Sequence, residues 1–182
     1  MRERRFDSAL ISGTASRCPF GCPRVVVCSP LQKFLPFPTS FWLTCPWLVR
    51  AAGAVESRGG VAKLEAWIER NAPSEWVPFN MAHQRLRLGL LSDATSRFLR
   101  RCRPRLYERL RGAGVGGIRY REPRVVHVKC IHLQTASWLA FGYHPGGAWL
   151  GENGLKGDCG GTYEFCGGAV LRKGADDVAG TL

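Results

Sequence analysis

The residues with the greatest chemical capacity in this chain are eight cysteines, at positions 18, 22, 28, 45, 102, 130, 159 and 166. Cys18 and Cys22 have a spacing found in zinc-binding turns, and Cys130 with His132 places a thiol and an imidazole two residues apart. Cys45 precedes a predicted helix, whose free N–H groups stabilise a thiolate. Metal ligation, a nucleophilic thiol and ordinary buried core thiols, with His132 a core histidine, are all consistent with these patterns.

The cysteines are expected to be reduced. A chain of 182 residues is longer than the usual disulfide scaffold, and the cysteine spacings show no repeat. The absence of a Cys-x-x-Cys pair argues against a thioredoxin-like redox motif and a standard zinc ribbon. We therefore expect thiols or thiolates in an intracellular protein.

Positive charge is concentrated in one part of the chain. The net charge is +12, and the segment from Arg85 to Lys129 has thirteen Lys and Arg residues against three Asp and Glu. Such a block favours an anionic partner, namely RNA, DNA, polyphosphate, a phosphorylated small molecule or an acidic protein surface, although a solvated basic helix face would give the same pattern. The candidate phosphate contacts are Arg100, Arg101, Arg103 and Arg105.

A glycine-rich loop at residues 112–117 is a second candidate for anion binding. The backbone N–H groups of Gly116 and Gly117 could approach a phosphate, with Arg119 and Lys129 close behind in the sequence. The loop lacks the Gly-Lys-Ser/Thr ending of a Walker motif. A flexible turn between two elements explains the same glycines.

The elements that must position these residues form an α+β pattern that is mainly helical. A strand is predicted at 24–28 and a helix from Pro46, because proline suits a first helical turn. Gly59 and Gly60 predict a bend into a second helix, which ends in a loop over 71–78. The pattern further predicts helices over 79–91, 95–110 (broken near Pro104) and 130–141, and a strand over 124–128.

Three regions are expected along the chain. Residues 1–16 form an N-terminal extension, 17–147 a single globular domain and 148–182 a Gly-rich tail that is partly disordered. Glycine supplies eleven of the last 37 residues, which is the basis for the tail.

No membrane segment is expected. The N-terminus is a poor secretory signal, because polar residues interrupt the stretch after its arginines. The most apolar run, 34–49, contains three prolines and is shorter than the roughly 20 residues that span a bilayer. A cytoplasmic protein is the expectation.

Three ordered segments resemble a known family. They are 17–23 (Arg-Cys-Pro-Phe-Gly-Cys-Pro), 36–46 (Pro-Phe-Pro-Thr through Thr-Cys-Pro) and 128–132 (Val-Lys-Cys-Ile-His). They resemble the bacterial domain of unknown function 501 family over about residues 17–147, including the Gly116-Gly117 loop and a histidine matching His83. The resemblance implies a bacterial cytoplasmic protein and no assigned activity.

Matched residue by residue, the resemblance implies one shared site. The family's pattern includes Cys18, Cys45, Cys130 and His132, and three thiols with one imidazole make a closed zinc set. The chain departs from the pattern at Ser137, where members often have histidine, and at 144–145, where they have Asn-Pro. The cysteines without an assigned role are Cys22, Cys28, Cys102, Cys159 and Cys166.

Two classes of function follow from these residues. The first is a zinc-stabilised module whose arginine-rich half binds an anionic partner. The second is an enzyme in which Cys45 or a metal-bound water attacks a phosphorylated substrate held by the glycine loop and Arg119. A third reading, which the resemblance implies, is an adaptor of division or phosphate metabolism that needs only a surface. The sequence has no catalytic triad motif and no dinucleotide fingerprint, so binding is favoured over catalysis.

Overall fold

The β layer is a short antiparallel sheet near the start of the chain. The structure is a computed structural model that describes residues 7–33, 35–120 and 126–160. The strands are β1 (Ile11–Arg17), β2 (Pro23–Cys28), β3 (Leu31–Gln32), β4 (Leu35–Pro36) and β5 (Phe41–Leu43). Three of them pair in the order β1-β2-β5, and the two strands between β2 and β5 form a small hairpin.

Helices account for most of the remaining described residues, so the α+β, mainly helical prediction is confirmed. They are α1 (Pro46–Ser57), α2 (Gly60–Asn71), α3 (Pro73–Gly89), α4 (Asp93–Cys102), α5 (Pro104–Arg111), α6 (Ile131–Phe141) and α7 (Gly147–Glu152).

Local signals set several of these boundaries. Helix α1 begins at Pro46 with Cys45 at its N-cap, as the sequence predicts. Gly59 separates α1 from α2 with φ of 75°, a left-handed conformation that glycine adopts without a steric penalty. Pro104 separates α4 from α5.

Helix α3 corrects the loop that the sequence predicts over 71–78. It starts at Pro73 and continues through Pro78, although Pro78 has no N–H to donate to the preceding turn. The buried side chains of Trp76 and Phe79 flank Pro78 and stack at 5.9 Å between ring centroids. We attribute the continuation of the helix to this burial, which outweighs one missing hydrogen bond.

Helix α6 lies at the centre of the fold, against the sheet and α1. Its residues Ile131 and Leu133 to Ser137 are buried, polar side chains included. The described part of the preceding predicted strand, 126–128, forms no strand, and its Val128 N–H donates to the Glu65 carboxylate at 2.8 Å. Residues 124 and 125 lie outside the described part.

A second, smaller core supports the arginine-rich helices. Leu99 of α4 packs with Tyr107 and Leu110 of α5, and all three are buried. The charged side chains of α4 and α5 therefore point outward, since the apolar residues of both short helices face each other.

The segment predicted to be a Gly-rich tail begins inside the fold. Leu150 of α7 and Leu155 after it are fully buried against the main core. The tail from residue 161 onward, with Cys166, lies outside the described residues. No described helix combines the length and apolar character needed to cross a bilayer.

Candidate functional site

The glycine loop is held by a polar face of α3. Asn80 accepts a hydrogen bond from Val115 N–H at 3.0 Å, and Gln84 is bonded to the hydroxyl of Tyr120. One turn further, Arg87 donates to the carbonyls of Ala113 and Gly114. The spacing 80, 84, 87 places all three on one side of the helix, a signal that the sequence reading missed.

Arg87 is a buried cation without a carboxylate partner among the described residues. Its side chain is 1% exposed, and its guanidinium donates only to carbonyls: Ala113 and Gly114 at 2.6 Å and Pro38 at 3.0 Å. Its Nε–H has no acceptor in the described structure. Burial lowers the pKa of Arg87 to about 10, so it stays charged at neutral pH.

The loop conformation requires glycine at two positions. Gly116 and Gly117 have φ of 59° and 86°. A Cβ on Gly116 would lie 2.4 Å from Leu133 Cδ2, and one on Gly117 would lie 2.9 Å from Pro38 Cβ. The segment predicted to be a flexible turn is therefore packed closely against Leu133 and Pro38.

A cleft of about 940 Å³ opens beside this loop. Four arginines line it: Arg87 from α3, Arg105 and Arg109 from α5, and Arg119 after the loop. Glu108, the one acidic residue in the described lining, is paired with Arg111 at 2.8 Å. The other lining residues are Pro36, Pro38, Pro104, Leu110, Gly112, Ala113 and Gly117.

The cleft contains three of the eight predicted anion-binding residues: Gly117, Arg119 and Arg105. Gly116 and Lys129 meet behind the loop, where the Lys129 ammonium donates to the Gly116 carbonyl at 3.3 Å. The other three predicted arginines, Arg100, Arg101 and Arg103, are exposed and lie outside the lining. The guanidinium of Arg100 lies 5.0 Å from the centroid of the Tyr107 ring.

The predicted metal ligands fall into two places. Cys130 and His132 stand beside Glu56, and one ligand atom from each of the three lies within 4.8 Å of the others. Carboxylate, thiolate and imidazole are all ligands that zinc accepts, so this group could hold a metal ion. Glu56 was not predicted, because it lies more than seventy residues away on α1.

Glu56 also caps the start of α6. Its Oε1 accepts from Ile131 N–H at 2.6 Å and lies 2.9 Å from His132 Nδ1. The other ring nitrogen of His132 lies 3.1 Å from the Val49 carbonyl, a second acceptor. A His132 ring with a proton on each nitrogen can donate to both Glu56 and the Val49 carbonyl, whereas a metal bound to one ring nitrogen would replace the hydrogen bond made there. Burial raises the pKa of Cys130, so an ion would have to displace its proton.

Cys18 and Cys45 lie together at a different place. Both line a small cavity with Cys22 and Cys159, two cysteines that the sequence left unassigned. The group of Glu56, Cys130 and His132 includes neither Cys18 nor Cys45. Among the described residues, the four predicted ligands Cys18, Cys45, Cys130 and His132 therefore do not meet around one point.

Two further cysteines lie outside both groups. Cys28 is fully buried in β2, and burial raises its pKa to about 11. Cys102, at the end of α4, is exposed.

Two histidines are buried together in the aromatic core. His83 and His144 pack edge-on against Phe79 at 4.9 and 4.6 Å between centroids. Burial lowers both pKa values to about 3, and for His83 the charge of Arg87 and then His144 add to this. His144 Nδ1 accepts from Gly146 N–H at 2.9 Å, so its Nε2 donates to Gln134. Both histidines are thus neutral core residues at pH 7.

Comparison with known proteins identifies the family. A model of the family described as Protein of unknown function (DUF501) matches residues 14–152. Neither the curated proteins nor the solved structures gave a match. The match covers most of the chain, including the glycine loop and both cysteine groups apart from Cys159. The chain therefore belongs to the DUF501 family, as its ordered Cys-Pro and Cys-x-His motifs indicate.

Proposed function

We propose that this protein is a binding module whose arginine cleft takes a phosphate-bearing ligand, with polyphosphate as the best-fitting class. The observation that carries the proposal is Arg87. A fully buried guanidinium with only carbonyl partners in the described structure leaves the positive charge uncompensated. An anion in the adjoining cleft would offset that charge.

The exposed arginines around the cleft support the same ligand chemistry. Among the described residues, the ion pairs do not involve Arg105, Arg109 or Arg119. All three are exposed, and they approach the cleft from two different elements. Guanidinium groups bind phosphate oxygens through paired donors, so three of them around one cleft suit a chain of several phosphates.

The shape and lining of the cleft favour polyphosphate over RNA and over an acidic protein surface. A cleft of about 940 Å³ has the size of a small-molecule site rather than a flat protein interface. Its described lining contains no aromatic side chain on which RNA bases could stack. Recognition would therefore act on phosphate groups alone.

A second candidate, a metal-dependent enzyme on a phosphorylated substrate, is favoured by one observation. Three ligands, Glu56, Cys130 and His132, leave a fourth position open for water if zinc binds, as in catalytic zinc sites. Lys129, which precedes Cys130, reaches the carbonyl of Gly116 in the loop beside the cleft. Cys45 does not serve this candidate, because it lines a different cavity.

Calorimetric titration with inorganic polyphosphate tests the proposal. We expect binding that weakens steeply as salt rises, because phosphate contacts release counterions. Single-stranded RNA and an acidic peptide are titrated in parallel. Tighter binding of either one than of polyphosphate would contradict the proposal. Phosphate release from polyphosphate after zinc loading, abolished in Cys130→Ser, would support the enzyme instead.

A further inference from the structure

Four cysteines from three distant parts of the chain surround one small cavity. They are Cys18, Cys22, Cys45 and Cys159, and the rest of the lining is Pro23, Arg24, Gly157 and Asp158. The cavity has a volume of about 10 Å³. That is about the space of a single water-sized sphere, so the cavity fits one atom-sized occupant.

The first two thiols are held by a tight turn between β1 and β2. Cys18 N–H donates to the Cys22 carbonyl and Gly21 N–H to the Cys18 carbonyl, both at 2.9 Å. Gly21 has φ of 80°, and Arg17 donates to its carbonyl at 2.8 Å. A turn of this kind directs two cysteine side chains towards one point, as in zinc-binding knuckles.

The third thiol reaches the same point because the N-terminus of α1 is tied to β2. The carbonyl of Arg24 accepts from Thr44 N–H at 2.9 Å and from Cys45 N–H at 3.4 Å. The Thr44 hydroxyl donates to the Pro23 carbonyl at 2.9 Å. Cys45 is buried and makes no capping hydrogen bond with its own helix.

The fourth thiol is brought in by the segment after α7. Arg24 donates to the Lys156 carbonyl at 3.3 Å, and Leu155 is fully buried. Gly157 lies against Trp47, where a Cβ would be 3.1 Å from the ring. These contacts anchor the segment just before Cys159, which is half-buried at the cavity.

One cationic and one acidic side chain line the cavity, Arg24 and Asp158. Arg24 lines the cavity, and its buried Nε–H has no acceptor in the described part of the chain. A zinc ion held by four thiolates has a net charge of about −2, which a neighbouring guanidinium would offset.

We propose that Cys18, Cys22, Cys45 and Cys159 form a tetrathiolate site for a single zinc ion. On binding, each thiol loses one proton to solvent and no residue is oxidised. The site keeps Cys18 and Cys45 of the family pattern and uses Cys22 and Cys159 in place of Cys130 and His132. It is independent of the arginine cleft.

Zinc binding requires the four thiols to close in. With Zn–S bonds of about 2.3 Å, tetrahedral sulfurs lie about 3.8 Å apart. Among the described residues the metal-ligand group within 4.8 Å does not include these cysteines, so they stand wider apart around the cavity. The backbone of the Cys18–Cys22 turn and of the segment before Cys159 is held by the contacts given above, so the closing has to come from rotation of the cysteine side chains.

The test uses the full chain purified under reducing conditions. We expect one tightly bound zinc per chain at this site and, after cobalt substitution, a charge-transfer spectrum typical of four thiolates. Cys22→Ser and Cys159→Ser should each reduce that absorption by roughly one sulfur in four, or release the ion. Cys102→Ser, at an exposed position, and Cys130→Ser, in the other group, should leave the spectrum unchanged.

A second measurement needs no variant. Zinc should protect Cys18, Cys22, Cys45 and Cys159 of the unaltered protein from alkylation, as read by peptide mapping, while Cys102 is modified. The proposal is overturned if these four thiols are alkylated equally with and without zinc. It is also overturned if the cobalt spectrum is lost in Cys130→Ser but kept in Cys22→Ser and Cys159→Ser.

Discussion

The guanidinium of Arg87 donates to the carbonyl of Gly114 at 2.6 Å from within the protein, so a buried cation fixes the loop that walls the cleft. The same side chain donates to the carbonyl of Pro38 at 3.0 Å, in the segment between β4 and β5. One residue thus joins three separate segments and places a positive charge at the base of the candidate site.

Replacing Arg87 with methionine should destabilise the protein. The change leaves the carbonyls of Ala113, Gly114 and Pro38 without their donor, which we expect to cost on the order of 2–4 kcal/mol of unfolding free energy. Urea denaturation measures the loss. Arg85→Met, at an exposed position on the same helix, should change stability by less than about 0.5 kcal/mol. Equal stabilities of the two variants would contradict this role of Arg87.

The glycine loop should not tolerate a side chain at Gly116. Gly116→Ala places a Cβ at a positive φ and 2.4 Å from Leu133 Cδ2, so we expect a loss of about 1–3 kcal/mol. Gly89→Ala is the control, because a Cβ there has no heavy atom within 4 Å and alanine favours helix. Thermal denaturation should show a lower melting temperature for Gly116→Ala and a higher one for Gly89→Ala. An unchanged melting temperature in Gly116→Ala would show that the loop is not rigid.

Local signals in the sequence predict part of this fold and no more. Proline and glycine placed the boundary at Pro46, the bend at Gly59 and the break at Pro104 correctly, because each acts on its own backbone. Helix α3 was missed before Pro78, since burial of Trp76 and Phe79 outweighs the local effect of proline.

In the candidate sites, too, the sequence predicts what depends on local spacing and misses what depends on long-range packing. Cys18 and Cys22 line one cavity through a local turn that their spacing indicates. The approach of Cys159 to them, and of Glu56 to His132, depends on long-range packing that a single sequence does not encode in any spacing. The cleft lies between these limits, because two of its four arginines, Arg105 and Arg119, were predicted, whereas Arg87 and Arg109 are brought to it by the fold.

Acid should destabilise the protein through its two buried histidines. Their folded pKa values of about 3 lie below the ordinary 6.5, so the unfolded state binds protons first as pH falls. Stability is therefore fully present above pH 6.5 and is lost between about 6.5 and 3, by about 1.4 kcal/mol per pH unit for each histidine.

Denaturation at a series of pH values measures this slope. His83→Leu should reduce it by the contribution of one proton, whereas His127→Gln, at an exposed histidine, should leave it unchanged. An identical slope in His83→Leu and the unaltered protein would mean that His83 is not buried neutral.

The carboxylate of Glu56 should contribute stability as the cap of α6. Glu56→Ala removes the acceptor of Ile131 N–H, for which we expect a loss of about 1–2 kcal/mol. Glu69→Ala, at an exposed position on α2, is the matched control and should be near neutral. A Glu56→Ala protein as stable as the control would contradict capping and leave metal binding as the only assigned role.

The most direct test of the central claim compares two triple variants that remove the same charge from different places. Arg105→Gln/Arg109→Gln/Arg119→Gln empties the cleft of its exposed arginines, and Arg97→Gln/Arg100→Gln/Arg101→Gln changes the exposed side of α4. Polyphosphate is titrated into each by calorimetry over a range of salt concentrations. The cleft variant should bind at least about tenfold more weakly, with a salt slope reduced by about three, while the α4 variant stays within about twofold. Equal weakening in both variants, or no polyphosphate binding by the unaltered protein at low salt, would contradict the claim that the cleft is the binding site.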